Sequence, residues 1–201
     1  APHGTVRYLR FVEQLAQAML DAGWEFMGHG VKQGGLHTLP DQRAAIGEAV
    51  EIIRQFTGKK PKGWLGPGLS ETWETLDLLA EAGIEYVSDW VTDDQPYEIR
   101  TRAGALVSVP YTLELNDIPM MAIQHHTSAE WVRRVKDQFD RLHAEGARNP
   151  RVMALAVHPY ISGVPHRIKY FEAAYDYMRK KKGVWFTTGE EIYEWYKAHP
   201  W

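Results

Sequence analysis

The stretch Val152–Gly163, VMALAVHPYISG, sets an uncharged apolar run directly before a histidine, a proline and a glycine. An imidazole at that junction, His158, has the chemistry of a general acid or base near neutral pH. The run is short and rich in small and β-branched residues, which predicts a strand buried on both faces of a parallel sheet. His158 then stands at the strand's carboxyl end, and Pro159 and Gly163 keep the loop beyond it from continuing as helix. In barrels and open α/β sheets the loops at that end converge on a common crevice. A histidine that caps a strand end inside the core is the competing reading of His158 taken alone.

Other polar and glycine-rich clusters follow the expected strands in the same phase: Gly28–His29–Gly30, Gly66–Pro67–Gly68, Asp89–Trp90 and Asp93–Asp94. That regularity points to a functional mouth, with the two chief imidazoles, His29 and His158, expected to open onto one basin. His29 lies between two glycines, which let backbone approach a ligand closely. His29 and Gln33 have the i,i+4 spacing of a metal pair, but an amide is a poor transition-metal ligand, and His37 is too loosely spaced from His29 to define a site. Asp89 follows its strand directly and suits a base orienter, a ligand or a cap. Asp93 and Asp94 read as a solvated turn. The His125–His126 pair points two ways on any regular backbone, and His166 reads as a surface residue in the first turn of a helix. Trp64 and Trp90 are candidate cleft walls and equally ordinary core residues.

The elements that must position these residues alternate. A helix is expected over Thr5–Ala22, a short strand at Trp24–Gly28, and a helix from Pro40 to Gly58. Strand-like Lys62–Leu65 runs into Gly-Pro-Gly, and a helix ends at Gly83. Ile84–Ser88 and Leu106–Val109 are the next strands, with irregular chain over 112–126 that leaves room for a short strand at Ile118–Ile123. Thr127 with Glu130, and Thr188 with Glu191, look like capping boxes opening helices. The histidine strand lies between the helix that ends at Gly146 and one carrying Ile168, Phe171, Tyr175 and Met178. Gly183–Thr187 is the last strand. Alternation of this kind argues for an α/β fold, a parallel sheet with outer helices. Residues 1–201 read as a single domain. The chain opens on a helix where a closed β/α barrel opens on a strand, so a segment ahead of Ala1 is expected to be missing, or another element fills the seam.

Composition excludes several classes. The chain has 201 residues, 44% of them hydrophobic, enough for one substantial core. A net charge of −3 with both signs mixed leaves no nucleic-acid or acidic-membrane footprint. No apolar run approaches the roughly 20 residues of a membrane helix. The absence of cysteine excludes disulfides and thiolate chemistry and fits a cytoplasmic protein. Eight Trp and ten Tyr suit either core packing or a ring-binding cleft.

GWEFMGHG, GWLGPGLSET, YVSDWVTDDQPY and ALAVHPYISGVPHR resemble, in order and spacing, the motif regions of the polysaccharide deacetylase (NodB-homology) family. They look closest to its branch of metal-independent allantoinases and related amide hydrolases, and the resemblance runs from about Trp24 to Trp195. It implies a distorted seven-stranded β/α barrel that hydrolyses an acetamide or, in this branch, a cyclic amide or ureide. Metal-dependent members have an aspartate pair on the first strand, a His-x-x-x-His motif that supplies metal ligands, and a Leu-x-x-His motif that supplies the general acid. Leu155–His158 matches the last, which gives His158 the acid role. His29 matches the first metal histidine, while Gln33 stands at the second. The arginine of the third motif is replaced by Leu65 or Trp64, and nothing before Trp24 matches the first motif.

A hydrolytic zinc needs three protein ligands and an open position for water. The resemblance leaves one, His29, so no cofactor is expected and zinc at His29 is doubtful. Without a metal, His29 or Asp89 would activate water, and backbone amides around Gly66, Pro67 and Gly68 would hold the oxyanion. Trp64, Trp90 and Gln33 would contact a small-molecule or sugar amide substrate. Homo-oligomers are common in this branch, and a neighbouring copy could cover the seam. Two readings remain open on sequence: a hydrolase of non-peptide C–N bonds, or a non-catalytic carbohydrate or small-molecule binder, or incomplete fragment, on the same fold.

Overall fold

The computed structural model describes residues 13–199. Its chain divides into two compact units. The first comprises the chain up to Val87, Arg100–Leu106 and the chain from Thr188; the second comprises Ser88–Ile99 and Val107–Thr187. No helix of the described residues is long and apolar enough to cross a membrane.

In the first unit, α1 occupies residues 13–21. The start expected at Thr5 lies outside the described residues. Helix α2, Gln42–Thr57, buries Ile46, Ala49 and Val50, the i, i+3, i+4 spacing of one helical face. Asp41 caps its start by accepting from the Ala44 N–H at 2.9 Å, and Gly58 ends it in the left-handed region at φ 77°. Helix α3, Thr75–Glu81, packs on α2. Two short strands, β1 (Gly63–Trp64) and β2 (Tyr86–Val87), pair in parallel with Trp64 opposite Val87. The strand expected at Trp24–Gly28 is reduced to a single parallel bridge from Gly28 to Trp64. The contact is close: a Cβ on Gly28 would lie 2.2 Å from a ring carbon of Trp64.

Tyr86 is wholly buried, and its hydroxyl donates to Glu25. Burial, with the Glu25 charge adding to it, pushes that phenol well above its ordinary range, so it stays a donor. The Glu190 N–H donates to the other oxygen of Glu25 at 3.0 Å, which ties in the start of α6, Gly189–Ala198. The capping box expected at Thr188 and Glu191 is complete, with both reciprocal bonds present. Strands β3 (Tyr97–Thr101) and β4 (Gly104–Ser108) form a hairpin turned by Arg102 and Ala103, whose tip belongs to the first unit, in a sheet of order β1-β2-β4-β3. Strand β4 falls at the strand expected over Leu106–Val109, whereas β3 was not expected: DWVTDDQPY reads as loop, and Tyr97–Thr101 shows itself only through pairing.

The second unit is built on helix α4, Ser128–Gly146, packed against α5, Ile168–Arg179. Leu115, Met120, Trp131, Val132, Val135, Phe139, Ala174 and Met178 make its buried cluster. Thr127 caps α4 by accepting from the Glu130 N–H at 3.2 Å, and the Trp131 indole N–H donates to Leu115 O at 2.8 Å. Residues Ile118–Ile123 form a π-helical turn rather than a strand. Pro119 cannot donate to a ladder, and only Met120 of this segment is buried.

The histidine segment also differs from expectation. It is extended but pairs in no strand among the described residues, and Val152–Ala156 are half-buried while Val157 is exposed. Met153 and Leu155, two residues apart, pack on the α4–α5 cluster, so one face is covered rather than two. Its backbone is held by single bonds: Val152 N–H to Asp94 O at 2.8 Å, Ala154 N–H to Thr112 Oγ1 at 3.1 Å, and Asp117 N–H to Ala156 O at 3.1 Å. Gly183–Thr187 likewise carries no strand pairing among the described residues. An apolar run records an affinity for burial, and a ladder also needs a partner at the right register.

The Gly28–Trp64 contact makes a stability prediction. Gly28→Ala should destabilise the protein by about 1–3 kcal/mol through overpacking, read from the urea midpoint. Gly47→Ala, on an exposed face of α2 with open space where its Cβ would go, should stabilise it by up to about 1 kcal/mol.

Candidate active site

The second unit concentrates buried polar groups. Asp117 is wholly buried at the start of the π-helical turn. Its Oδ2 accepts from the His158 backbone N–H at 2.7 Å and from Ser162 Oγ at 2.6 Å, and its Oδ1 lies 2.6 Å from His158 Nδ1. A carboxylate withdrawn from water needs such donors, and bonds to a charged acceptor are the stronger kind. With Nδ1 donating to Asp117, the proton arrangement of the ring is fixed and Nε2 is the nitrogen left to exchange a proton. The His158 side chain is 32% exposed, in contact with water on that side while its partner has none.

The loop after His158 is wound by the histidine's own carbonyl, which accepts from the Ile161 and Ser162 N–H groups, each at 2.9 Å. That turn carries Ser162 back to Asp117, so loop and ring share an anchor. Tyr160 lies beside the imidazole, with ring centroids 5.7 Å apart.

Asp89 is nearly buried in the same unit, and Trp90 next to it is 38% exposed. Asp93 turns the chain by accepting from the Gln95 N–H at 3.1 Å. Asp94 is half-buried, and burial together with the neighbouring Asp93 charge pushes its carboxyl above the ordinary range, against the pull of Arg151.

In the first unit, His29 is exposed and its Nδ1 bonds the Leu65 carbonyl. A depression of about 390 Å³ is lined by Gln33, Gly34, Gly35, His37, Pro67, Gly68 and Ser70. Gly68 takes φ 66° and Leu69 φ 52°, so the loop turns tightly there, and Ser70 Oγ donates back to Pro67 O at 2.8 Å. Gln33, Pro67 and Gly68 thus share one surface. Trp64 does not join them: it is wholly buried beneath Gly28, so the indole is core and cannot wall a cleft as it stands. His126 Nε2 lies 3.1 Å from an Arg134 nitrogen, away from the Asp117 cluster's contacts, and His166 is exposed in the turn before α5.

A zinc at His29 does not fit the donor set. Among the described residues no group of three or more His, Cys, Asp or Glu side chains could hold a metal ion. His29 brings one nitrogen, and Gln33 at the matching spacing brings an amide.

Sequence reasoning missed Asp117, Asn116, Tyr111 and Ser162. The available signal was Asn116–Asp117, a polar pair enclosed by the apolar residues Leu115 and Ile118–Ala122. Both polar residues are buried, which no surface turn would require.

This mixed α/β chain, with a buried carboxylate gripping a histidine, has a fold shared with several solved structures. A probable polysaccharide deacetylase from Pseudomonas aeruginosa PAO1 is 30% identical with a TM-score of 0.86, over 94% of this chain and 65% of that one. Puue allantoinase is 28% identical, also at 0.86, over 94% of this chain and 64% of that one. A polysaccharide deacetylase homologue of Schizosaccharomyces pombe (strain 972) is 28% identical over 203 residues, 91% of this chain and 63% of the relative. Residues 5–87 match the family model for polysaccharide deacetylase. That stretch and the α/β fold shared with these structures are what the four motifs implied. It spans somewhat under two thirds of the length of these relatives.

Asp94 supplies a pH prediction. Its folded-state pKa is raised, so its protonated form favours folding at low pH, and that contribution is lost as pH rises through the folded value. Asp94→Asn should therefore raise the melting temperature near neutral pH, with the gain shrinking as pH falls through the carboxylate range, as followed by calorimetry.

Proposed function

We propose that this chain carries the acid/base apparatus of a hydrolase of non-peptide C–N bonds, acting on a sugar acetamide or a cyclic amide or ureide. The observation that carries the reading is the Asp117–His158 pair: a wholly buried carboxylate on Nδ1 of a ring that is itself 32% exposed. A nitrogen leaving from a tetrahedral intermediate must be protonated, because an amide anion is a very poor leaving group. His158 in its protonated form delivers that proton from Nε2, and Asp117 keeps the imidazolium oriented and compensated. Asp89, in the same unit as His158, is assigned as the base that activates water, and Trp90 beside it to substrate contact.

The reaction is proposed to run without a metal, because the described donor set offers His29 alone where zinc would need three ligands. Similarity to a solved probable polysaccharide deacetylase and to a solved allantoinase supports amide hydrolysis and leaves the substrate to assay.

A screen of allantoin, hydantoins, cyclic imides and N-acetylglucosamine oligomers, with and without EDTA, tests the reading. Turnover should survive chelation. His158→Ala should lower kcat about 100-fold or more, the scale of a lost general acid. Near-normal activity in that variant would remove His158 from the mechanism. Binding of one of these compounds without turnover would favour the non-catalytic reading.

A further inference from the structure

Tyr111 lies three residues beyond β4, half-buried in the second unit. Its hydroxyl oxygen accepts from Asn116 Nδ2 at 2.6 Å. The amide's other end is committed, since Asn116 Oδ1 accepts from the Ile118 N–H at 2.8 Å. That bond fixes which way the amide faces, so only its NH₂ group can address the tyrosine. An oxygen that accepts from Asn116 keeps its own proton for another partner.

Asn116 directly precedes Asp117. The short turn that grips the His158 ring therefore also grips the Tyr111 hydroxyl. Burial holds the phenol above its ordinary range; the Asn116 bond pulls the other way, and the Asp117 and Asp89 charges add to the rise. Tyr111 is thus a protonated donor across the neutral range, close enough to both carboxylates to feel their charge.

We propose that the Tyr111 hydroxyl donates to the carbonyl oxygen of the scissile amide as that oxygen gains charge, with Asn116 as its positioning residue; this rests on the hydrolase reading above. Water oxygen bonds to the carbonyl carbon and its proton passes to the base. The C=O π pair moves onto oxygen, where the Tyr111 O–H donates a hydrogen bond and keeps its proton. As the C–N bond breaks, the pair on oxygen re-forms the carbonyl, and nitrogen departs with the bonding pair and a proton from His158. A fixed donor at the developing oxyanion is worth most where water is excluded, and removing one costs roughly 100- to 1,000-fold in rate.

The test is Tyr111→Phe, which keeps the ring and deletes the hydroxyl, assayed on whichever compound of the screen is turned over. The expected result is a kcat lowered about 100-fold with KM changed by less than about threefold. Acetate, the carboxylate product of acetamide hydrolysis, gives a readout that needs no turnover: its affinity, followed by NMR titration, should fall about fivefold. Asn116→Ala should lower kcat more than it affects KM and move the Tyr111 ¹³Cζ titration upward, because the bond that favours the phenolate is gone. Should Tyr111→Phe not fold, the Asn116 variant decides by the same measurements. Unchanged kcat and acetate affinity in Tyr111→Phe, with His158→Ala still inactive, would overturn this assignment alone. Absence of both turnover and acetate binding in the unmodified chain would overturn the hydrolase reading and this assignment together.

Discussion

A carboxylate with no exposure to water constrains everything around it. Asp117 is such a group, and the second unit answers with a backbone N–H, an imidazole and a hydroxyl, all from the five residues His158–Ser162. Removing any donor would leave part of a buried charge uncompensated, a loss that exceeds the worth of an ordinary hydrogen bond. The loop after Val157 must therefore wind as it does, and the imidazole must present the same nitrogen outward. The orientation of the ring is here a by-product of burying a charge safely.

The same turn organises the apolar side. Asn116 and Asp117 lead into the π-helical residues, whose Met120 enters the cluster with Trp131 and Val135, and Trp131 reaches back to the carbonyl of Leu115. The polar site and the α4–α5 core are thus joined through the six consecutive residues Leu115–Met120. In the first unit, aromatic rings against glycine do the comparable work. Trp64 sits under Gly28, and Tyr86 lies where Gly63 and Gly189 leave no Cβ in its way. These contacts settle the chain on which the Gln33–Gly68 depression is formed.

Helices were largely legible because their signals are local. Thr127 and Thr188 cap as their side chains predict, α2 is capped by Asp41 just past the expected opening at Pro40, and α4 buries the face that Trp131, Val135, Phe139 and Leu142 define. Strands were less legible. Val152–Val157 has a strand's composition and alternates its contacts like one, yet no neighbour pairs with it among the described residues. The hairpin of β3 and β4 has modest composition and pairs well. Strand identity depends on a partner distant in sequence, whereas a cap depends on a residue three positions away.

Sequence by itself carried the resemblance to a family, through four ordered motifs, and singled out His158 and His29 because few side chains can move protons near neutrality. It also indicated that His29 lacks a second histidine at the metal spacing, since Gln33 is read directly from the chain. Only the tertiary structure decided that Asp117, 41 residues before His158, orients its ring, that Asn116 turns its amide toward Tyr111, and that Trp64 belongs to the core. Those facts depend on where the backbone returns after a long excursion. Residue type states what a side chain is able to do, and burial and partners across the fold decide which of those abilities it is left with.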